Sequence, residues 1–321
     1  MIKKIALLTS GGDAPGMNAA IRAVVKTALK NELEVIGIRR GYEGLLDQDF
    51  IEMKRGSVSD ILQRGGTMLL TARSERFKTP QGLAAGAEIL RKNQIDGLVV
   101  IGGNGSLCGA QKLNELGITT IGLPATIDND LAYTEASIGF DTAINTALYA
   151  LGNLRDTSYS HGRVNVVQVM GRHCGDIALH AAIGCGAEGV FLPEREPDIM
   201  GLCNIINKRR DLGCLLNIVV VAEGCPLSLE EIKAVLTKQT GAEVRTTVLG
   251  HIQRGGSPTS YDRLFASRLG AYAVDLLLKG ASGRACGIKY GRLVDFSFED
   301  ALAIKKNLDE SLYELFELLS K

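Results

Sequence analysis

The chain of 321 residues lacks an excess of charge of either sign, because 36 Lys and Arg balance 36 Asp and Glu. This balance argues against a dedicated nucleic-acid binder and against a protein of membrane surfaces, although it leaves room for a local basic cleft. The sequence also lacks an apolar run long enough for a membrane span. Gly11 and Gly12 break the first apolar segment too early for a signal peptide, which predicts a soluble cytoplasmic protein.

Cysteine pairs of the C-x-x-C type are absent, although the chain has seven cysteines. Their odd number and scattered positions favour reduced thiols over a disulfide framework or a zinc site. Only seven prolines occur and no segment is of low complexity, so composition marks no domain boundary. The length is that of two domains or of one large α/β unit. Hydrophobic residues make up 45% of the chain, which is enough for a sizeable core.

Short apolar runs alternate with helical patterns along most of the chain. Runs typical of buried strands occupy residues 4–9, 33–38, 97–101, 118–123 and 217–222. Residues 19–30 carry apolar side chains at helical spacing, and a strand–loop–helix order recurs at 97–116 and at 164–182. This alternation predicts a largely parallel sheet with helices on both faces. One further amphipathic surface helix is predicted over residues 298–320.

Two glycine-rich loops follow predicted strands and open predicted helices. Residues 10–16 read Ser-Gly-Gly-Asp-Ala-Pro-Gly, and residues 102–106 read Gly-Gly-Asn-Gly-Ser. Glycine lets the backbone approach a phosphate closely, and the N–H groups of a helix N-terminus favour an anion. For the first loop, a phosphate site and a plain βα turn are equally good interpretations. Three glycines in four positions favour a phosphate site in the second loop, because glycine costs backbone entropy.

Two carboxylates, Asp128 and Asp130, follow the predicted strand at 118–123. Residues two apart on an extended segment face the same way, so the pair is suited to binding magnesium and accepting a proton. An Asx turn or a helix cap is the alternative, and on spacing alone it is the better interpretation. The neighbouring glycine loops reverse that preference, because phosphoryl transfer needs a phosphate cradle beside acids.

Further polar residues lie at the ends of later predicted strands. They are Arg163, Arg172, Glu223, Arg245 and Arg254. Arginine suits phosphate through bidentate, permanently charged contacts, and a glutamate can accept sugar hydroxyls. Each arginine alone is more often a surface residue or an ion-pair partner. We expect these motifs to lie at the carboxyl ends of strands, where open α/β sheets bind ligands, and therefore to form one site.

These motifs resemble the bacterial type of ATP-dependent 6-phosphofructokinases over essentially the full chain. The resemblance is carried by residues 8–18, 124–130, 169–172 and 248–258, the last being long and specific. It implies two doubly wound α/β/α (Rossmann-like) domains with the chain crossing between them. The implied ATP-binding domain comprises residues 1–139 plus 253–303, and the implied domain for fructose 6-phosphate and effectors comprises 140–252 plus 304–321. A homotetramer with active sites shared between subunits is also implied.

The implied reaction transfers the γ-phosphoryl group of ATP to O1 of fructose 6-phosphate. Asp128 matches the general base, while Thr126, Arg172 and the Gly12 backbone match groups that steady the phosphoryl group. The implied ATP ligands are Gly12, Arg73, Ser74, Gly103, Asn104, Gly105 and Ser106. The implied sugar-phosphate ligands are Thr126, Asp128, Asp130, Arg163, Met170, Gly171, Arg172, Glu223, Arg245, His251 and Arg254. By resemblance, Arg163 and Arg245 reach in from a neighbouring subunit.

The magnesium loop departs from the family pattern, because Asn104 stands where an aspartate helps to hold Mg²⁺. An amide oxygen is a hard ligand without charge. The sequence therefore predicts weak Mg²⁺ binding or slow turnover, unless Asp130 and the phosphates suffice. A catalytically weak, ligand-binding paralogue is the alternative function. A related kinase that acts on NAD is a further alternative, disfavoured by residues 251–257.

The phosphoryl donor expected from the sequence is ATP. Diphosphate-using relatives have a lysine at the position of Ala125 and an aspartate at that of Gly105, and neither is present. The resemblance also implies an effector site for ADP or phosphoenolpyruvate. Its residues are Arg22, Lys26, Arg55, Arg155, Gly186 and Glu188. Leu212 and Cys214 stand where relatives have lysines, which predicts weak or absent inhibition by phosphoenolpyruvate.

Overall fold

The computed structural model describes residues 2–159, 161–214 and 216–320. Met1 and Lys321, which the predicted domains include, lie outside the described residues. The chain divides into two compact units. Unit 1 comprises Met1–Ile127, Leu131–Thr142 and Arg254–Lys305. Unit 2 comprises Asp128–Asp130, Ala143–Gln253 and Lys306–Lys321.

Strands and helices alternate along the described residues. The strands are β1 (Lys4–Ser10), β2 (Glu34–Ile38), β3 (Phe50–Glu52), β4 (Gly97–Gly102), β5 (Thr120–Pro124), β6 (Val164–Val169), β7 (Gly189–Phe191), β8 (Asn217–Ala222), β9 (Val244–Val248), β10 (Arg284–Lys289) and β11 (Arg292–Ser297). The helices are α1 (Met17–Lys30), α2 (Gly41–Leu46), α3 (Pro80–Lys92), α4 (Asn104–Glu115), α5 (Phe140–Tyr159), α6 (Asp176–Cys185), α7 (Ile199–Asp211), α8 (Leu229–Thr240), α9 (Ser260–Leu278), α10 (Phe298–Ala303) and α11 (Glu310–Ser320). Short 3₁₀ helices occupy Arg55–Val58, Arg76–Lys78 and Gly250–Arg254.

Unit 1 contains a seven-stranded sheet in the order β11-β10-β5-β4-β1-β2-β3. Its central strands run parallel, while the edge strands β3 and β11 are antiparallel to their neighbours. All six residues of β4 are buried, as expected for a strand covered on both faces. Leu8, Leu98 and Val100 belong to the core of this unit, together with Leu107 and Leu113 from α4.

Unit 2 contains a four-stranded, wholly parallel sheet in the order β7-β8-β6-β9. The apolar run at residues 217–222 forms β8, and all six of its residues are buried. Val219 and Val221 of β8 pack in one cluster with Leu202 and Ile206 of α7. The prediction of an α/β fold built on parallel sheets with alternating helices is confirmed.

The helix predicted at residues 19–30 is α1, which begins two residues earlier, at Met17. Its periodic apolar residues Ile21, Val24, Val25 and Ala28 are buried. Burial of one apolar stripe accounts for this helix, because tertiary packing of such a face supplies most helical stability in proteins.

The single surface helix predicted over residues 298–320 is wrong. The structure has two helices there, α10 in unit 1 and α11 in unit 2. Ser297 caps α10, and the backbone at Ile304 is extended where that helix ends. The Asp309 carboxylate then accepts hydrogen bonds from the N–H groups of Ser311 and Leu312 at the start of α11. Two cap residues thus mark two helix starts, a signal that apolar periodicity alone does not contain.

Candidate active site

The two glycine loops and Thr126 follow three neighbouring strands of the unit 1 sheet. β1, β4 and β5 run parallel, with Ser10 paired to Gly102 and Gly102 paired to Pro124. Their carboxyl ends therefore lie together at one edge of the sheet, where open α/β sheets bind ligands. Motifs that lie far apart in the sequence become adjacent at this edge.

The second glycine loop, residues 102–106, leaves space that its own packing does not fill. A Cβ atom at Gly105 would meet no atom of the described residues within 4 Å, and one at Gly103 would lie 3.5 Å from Cβ of Thr126. Gly102 differs, because a Cβ there would lie 2.5 Å from the carbonyl oxygen of Ser10. Packing therefore explains Gly102 but not Gly103 or Gly105, whose lack of a side chain suits the close approach of a phosphate.

The helices that follow the two glycine loops begin without a side-chain cap. Their N-cap residues are Gly16 for α1 and Gly103 for α4, and neither offers a capping group. Five other helices are capped by Thr79, Asp198, Ser228, Thr259 and Ser297, whereas α2 and α6 also begin without a side-chain cap. An anion can occupy the place at α1 and α4 that a polar side chain fills elsewhere, and the helix dipole favours it.

Arg254 brings a positive charge to the first glycine loop, residues 10–16. Its Nη1 atom donates a hydrogen bond to the Asp13 carbonyl oxygen at 3.2 Å. A Cβ atom at Gly12 would lie 2.5 Å from the same Nη1 atom, so the guanidinium group rests directly on the glycine backbone. The structure thus places Arg254 beside Gly12 within unit 1, where it strengthens the attraction of that loop for phosphate.

Asp262 holds the segment around Thr126 in place, and the sequence analysis missed it. Thr126 donates from its N–H to the Ile138 carbonyl oxygen and accepts a hydrogen bond from the Ser137 hydroxyl. The buried Asp262 carboxylate accepts hydrogen bonds from the backbone N–H groups of Gly139 and Thr142. Burial raises the pKa of Asp262, although these donors oppose the shift. The helix-start pattern of residues 259–262, a threonine three residues before an acid, was the signal for it.

The predicted ATP ligands Arg73 and Ser74 lie in a segment tied to the first glycine loop. The Thr71 hydroxyl donates to the Gly11 carbonyl oxygen at 2.6 Å. Arg73 is exposed, whereas Ser74 is buried and its hydroxyl accepts a hydrogen bond from the Phe77 N–H. Arg73 is therefore accessible to an anionic ligand, while Ser74 already has a structural contact.

The predicted general base, Asp128, is paired with Arg172 inside unit 2. The Nε atom of Arg172 lies 3.3 Å from Oδ2 of Asp128. The Asp128 side chain is only 2% exposed, whereas the Arg172 side chain is 53% exposed. A nearly buried carboxylate beside an accessible guanidinium group is an arrangement that can accept a proton and stabilise developing negative charge.

The expectation that Asp128 and Asp130 sit on an extended segment is wrong. Asn129 between them has φ +52°, in the left-handed region, so strand alternation does not govern where the carboxylates point. Oδ1 of Asp130 is buried and has no hydrogen-bond partner among the described residues. Such an oxygen is costly unless a cation or a donor satisfies it, and it therefore fits a Mg²⁺ ligand.

The loop after β6 is strained and is held by Glu223 and Gln253. Gly171 has φ +136° and Arg172 has φ +53°. Oε1 of Glu223 accepts hydrogen bonds from the N–H groups of Arg172 at 2.7 Å and Gly171 at 3.3 Å. Gln253, which the sequence analysis missed, accepts from the Met170 N–H at 3.4 Å. Backbone strain at a loop that carries a candidate catalytic residue is typical of functional sites.

The expectation that every polar motif lies at the carboxyl end of a strand is wrong for Arg163 and Arg245. Arg163 precedes β6, and Arg245 is the second residue of β9, so both lie at the amino ends of these paired parallel strands. Both contact Glu243, at 2.9 Å and 2.5 Å. Arg172 follows the carboxyl end of β6. Within one protomer, these two arginines and Arg172 therefore lie about the length of a strand apart. His251 is exposed in the 3₁₀ helix Gly250–Arg254.

The predicted effector residues divide between the units. Arg22 and Lys26 on α1 and Arg55 belong to unit 1, whereas Arg155, Gly186 and Glu188 belong to unit 2.

Within unit 2, the Arg155 guanidinium group donates to the carbonyl oxygens of Cys185 and Gly186. Glu188 is buried, which raises its pKa, and its carboxylate lies 2.8 Å from Nη2 of Arg209. Arg209 was missed, although the cationic run 208–210 at the end of α7 was a signal for it.

The described residues lack two further features. None of their helices is long and apolar enough to cross a membrane. They also contain no group of three or more His, Cys, Asp or Glu side chains that could hold a metal ion.

Glycine loops with uncapped helix starts in unit 1, and a buried carboxylate beside an accessible arginine in unit 2, are components that phosphoryl transfer uses. Residues 4–277 match the family described as Phosphofructokinase. The chain therefore belongs to the phosphofructokinase family.

Two proteins similar in sequence to this chain are named for the same activity. An ATP-dependent 6-phosphofructokinase of Clostridium tetani is 56% identical, over 99% of this chain and 100% of its own length. One from Clostridium botulinum is 55% identical, over the full length of both chains.

Solved structures of phosphofructokinases share the fold. That from Saccharomyces cerevisiae matches with a TM-score of 0.89 and 34% identity, over 99% of this chain and 47% of the yeast chain. This chain thus spans about half the length of that yeast chain. A pyrophosphate-dependent phosphofructokinase from Marinobacter aquaeolei, at 23% identity and a TM-score of 0.84, supports the fold alone.

Proposed function

We propose that the chain transfers the γ-phosphoryl group of ATP to O1 of fructose 6-phosphate, giving fructose 1,6-bisphosphate and ADP in glycolysis. The observation that carries this proposal is the contact between the buried Asp128 and Arg172. A sugar hydroxyl must lose a proton as it attacks phosphorus, and a carboxylate within reach can accept it. Nothing observed favours the alternative of a catalytically weak paralogue.

The remaining roles divide between nucleotide and sugar. The two glycine loops and Arg73 bind the ATP phosphates, while Thr126, Arg172 and the Gly12 backbone hold the phosphoryl group as it transfers. Positive charge and backbone N–H groups stabilise the charge on its oxygens. Met170, Gly171, Glu223, His251 and Arg254 bind fructose 6-phosphate. Unit 1 accordingly corresponds to the ATP-binding domain and unit 2 to the sugar-phosphate domain.

Replacing Gly12 with alanine is expected to lower kcat by about 10–100-fold, less than the 10²–10³-fold lost when a charge-stabilising group is removed outright, because Arg254 is displaced but keeps its charge. The new Cβ atom would lie 2.5 Å from Nη1 of Arg254 and would displace its guanidinium group. The obstacle is the end of a flexible side chain, so thermal stability should change little. Steady-state kinetics and thermal unfolding measure both effects. Gly56→Ala, which meets no described atom within 4 Å, is the control, and equal kcat for both variants would contradict the expectation.

Mg²⁺ would be held by Asp130 and Asn104 together with phosphate oxygens. Asp130 offers a buried oxygen without a hydrogen-bond partner among the described residues, and Asn104 offers an exposed amide. Mg²⁺ in kinase sites commonly takes one or two carboxylates and completes its shell with phosphate and water. When bound, the ion neutralises charge on the phosphates.

Replacing Asn104 with aspartate is expected to lower the Mg²⁺ concentration for half-maximal activity about tenfold, or roughly 1.4 kcal/mol. The added charge attracts the cation, and exposure of residue 104 keeps the effect modest. Titrating activity against Mg²⁺ at saturating ATP and sugar phosphate measures it. Asn114→Asp, farther along α4, is the control. Superimposable curves for Asn104→Asp and the unmodified chain would reject a role for this position in binding magnesium.

The active site is completed by a neighbouring subunit of a homotetramer. Support comes from Arg163 and Arg245, which lie at the strand edge opposite that of Arg172 and so serve the site of another subunit. Both arginines contact Glu243, which holds them together. Like other members of a glycolytic enzyme family, the protein acts in the cytoplasm, without a nucleic-acid or membrane partner.

Phosphoenolpyruvate is expected to inhibit this enzyme weakly. The proposed effector residues retain Arg155 and Glu188, but Leu212 and Cys214, both exposed, supply no positive charge. Without two cations, a multiply charged anion loses much of its attraction. Rate curves over phosphoenolpyruvate concentrations test this, and the double variant Leu212→Lys/Cys214→Lys should show stronger inhibition. Strong inhibition of the unmodified chain at low phosphoenolpyruvate would contradict the expectation.

A coupled assay of the purified protein with ATP and fructose 6-phosphate tests the proposed function. We expect multiple turnovers with ATP and little activity with diphosphate as donor. Binding of both substrates without turnover over a range of Mg²⁺ concentrations would identify the weak paralogue instead. Phosphorylation of NAD in place of the sugar phosphate would identify the related kinase.

A further inference from the structure

Asn129 lies between the two carboxylates of the candidate site, Asp128 and Asp130. It is 2% exposed and adopts φ +52°, in the left-handed backbone region. Asparagine tolerates this region better than most residues, but the conformation still has to be held by contacts. Its Nδ2 atom donates a hydrogen bond of 2.8 Å to Oδ2 of Asp176.

Asp176 in turn is held by a lysine from the far end of the chain. It lies in the first turn of α6, is 5% exposed, and its Oδ2 atom lies 2.8 Å from Nζ of Lys306. Lys306 belongs to the connection between α10 and α11, and its side chain is 24% exposed. Lys306, Asp176 and Asn129 thus form a continuous polar chain within unit 2 that ends between Asp128 and Asp130.

Asp176 is also close in sequence to the other half of the candidate catalytic pair. The loop that carries Gly171 and Arg172 leads directly into α6, whose N-cap is Gly175. Asp176 therefore contacts the Asp128 segment through Asn129 and belongs to the helix that follows Arg172. The segment with Asp128 and the loop with Arg172 must keep their relative positions for the 3.3 Å contact between these residues. Both segments connect to Asp176.

Stability alone is a poor explanation for this arrangement. Burying an ion pair removes water from both charges, and their mutual attraction offsets this cost only when the geometry is good. Proteins in which such a pair is replaced by apolar residues are often equally stable. The first turn of a helix already favours an acidic side chain without a lysine. What the lysine adds is a fixed orientation of the Asp176 carboxylate toward Asn129.

We propose that Asp176 and Lys306 are positioning residues for phosphoryl transfer, which hold Asn129 in its left-handed conformation and thereby aim Asp128 at the acceptor hydroxyl. This inference rests on the proposed function. Neither residue touches the reacting atoms, so both act on the orientation of the base and not on substrate affinity. Positioning of this kind changes kcat, because small displacements of a reacting group are costly.

Kinetics of Lys306 variants test the proposal. Lys306→Met is expected to lower kcat about tenfold or more, with the KM values for ATP and fructose 6-phosphate nearly unchanged. Lys306→Arg keeps the charge and should restore most of the activity. Lys305→Met, at the exposed neighbouring lysine, is the matched control and should behave as the unmodified chain. A folded Lys306→Met enzyme with the kcat of this control would overturn the proposal.

Asn129→Gly separates positioning from a purely structural role. Glycine adopts positive φ freely but cannot reach Asp176, so the variant folds and loses the connection. If Lys306 acts through Asn129, adding Lys306→Met to Asn129→Gly should cause no further loss of kcat. A full additional loss in the double variant would show that Lys306 acts by another route and would overturn the proposal.

A crystal structure of the Lys306→Met protein gives a readout that does not depend on activity. We expect residue 129 to leave its left-handed conformation and the contact between Asp128 and Arg172 to break. An unchanged Asp128 position would overturn the proposal. If the unmodified protein failed to phosphorylate fructose 6-phosphate, the proposed function would fall, while this structural comparison would still decide whether Lys306 orients Asp128.

Discussion

Asp128→Asn is expected to lower kcat about 10³-fold while the KM values for ATP and fructose 6-phosphate stay nearly the same. Asparagine has the shape of aspartate and can still contact Arg172, but it cannot accept the proton that the sugar hydroxyl loses. A positioned general base contributes about 10²–10⁴-fold to a rate, which sets the expected size. Steady-state kinetics at saturating Mg²⁺ measure the loss.

A matched substitution separates this effect from a general loss of charge or stability. Asp275→Asn removes an exposed carboxylate on α9 and should leave kcat unchanged. Thermal unfolding should give similar midpoints for both variants. If Asp128→Asn retained most of its kcat while correctly folded, Asp128 would not be the base, and the assignment on which the mechanism rests would have to be abandoned.

Arg172→Leu is expected to lower kcat by about 10²–10³-fold, the range found when one group that stabilises developing charge is removed. In the proposed mechanism the guanidinium group has two tasks, since it contacts Asp128 at 3.3 Å and its exposure leaves it accessible to a phosphoryl group. Leucine keeps the inner apolar part of the side chain and tolerates the left-handed backbone about as well as arginine does, so the loop itself should persist. Arg172→Lys should be intermediate, because an ammonium keeps the charge but not the planar fork.

Two comparisons sharpen the Arg172 experiment. Arg292→Leu, at an exposed arginine of β11, is the control and should retain full activity. The double variant Asp128→Asn/Arg172→Leu should lose far less than the product of the single losses, because residues that act as a unit are not additive. Additive losses would instead mean that the two side chains act in separate steps.

Apolar patterning predicted the parts of the fold that depend on burial. Apolar runs predicted the strands β4 and β8, and an apolar stripe predicted the helix α1. These apolar side chains are buried in the structure, because few other arrangements remove them from water. The same patterning failed at residues 298–320, where local caps at Ser297 and Asp309 start two helices inside one apolar pattern. The spacing of apolar residues identifies the buried face of a helix, whereas the residue at which a helix starts depends on a local capping hydrogen bond.

The candidate site was predictable where its chemistry lies in contiguous motifs. The glycine loops and the segment around Asp128 combine residue types that carry their own physical meaning. The contacts of Asp262 and Lys306 join residues more than a hundred positions apart, and no spacing rule reveals such pairs. Arg163 precedes a strand already in the sequence and therefore lies at its amino end, which the expectation of a single site at the carboxyl ends overlooked.

The open space at Gly105 has a consequence for how this loop can change over time. A side chain there would disturb no described neighbour, and the exposed Asn104 beside it has equally little to do with the core. Mutations at these two positions should therefore leave folding intact, and only the loss of a ligand would select against them. If this loop binds the nucleotide and Mg²⁺ as proposed, Asn104 and Gly105 are positions where ligand preference can change while the scaffold stays intact.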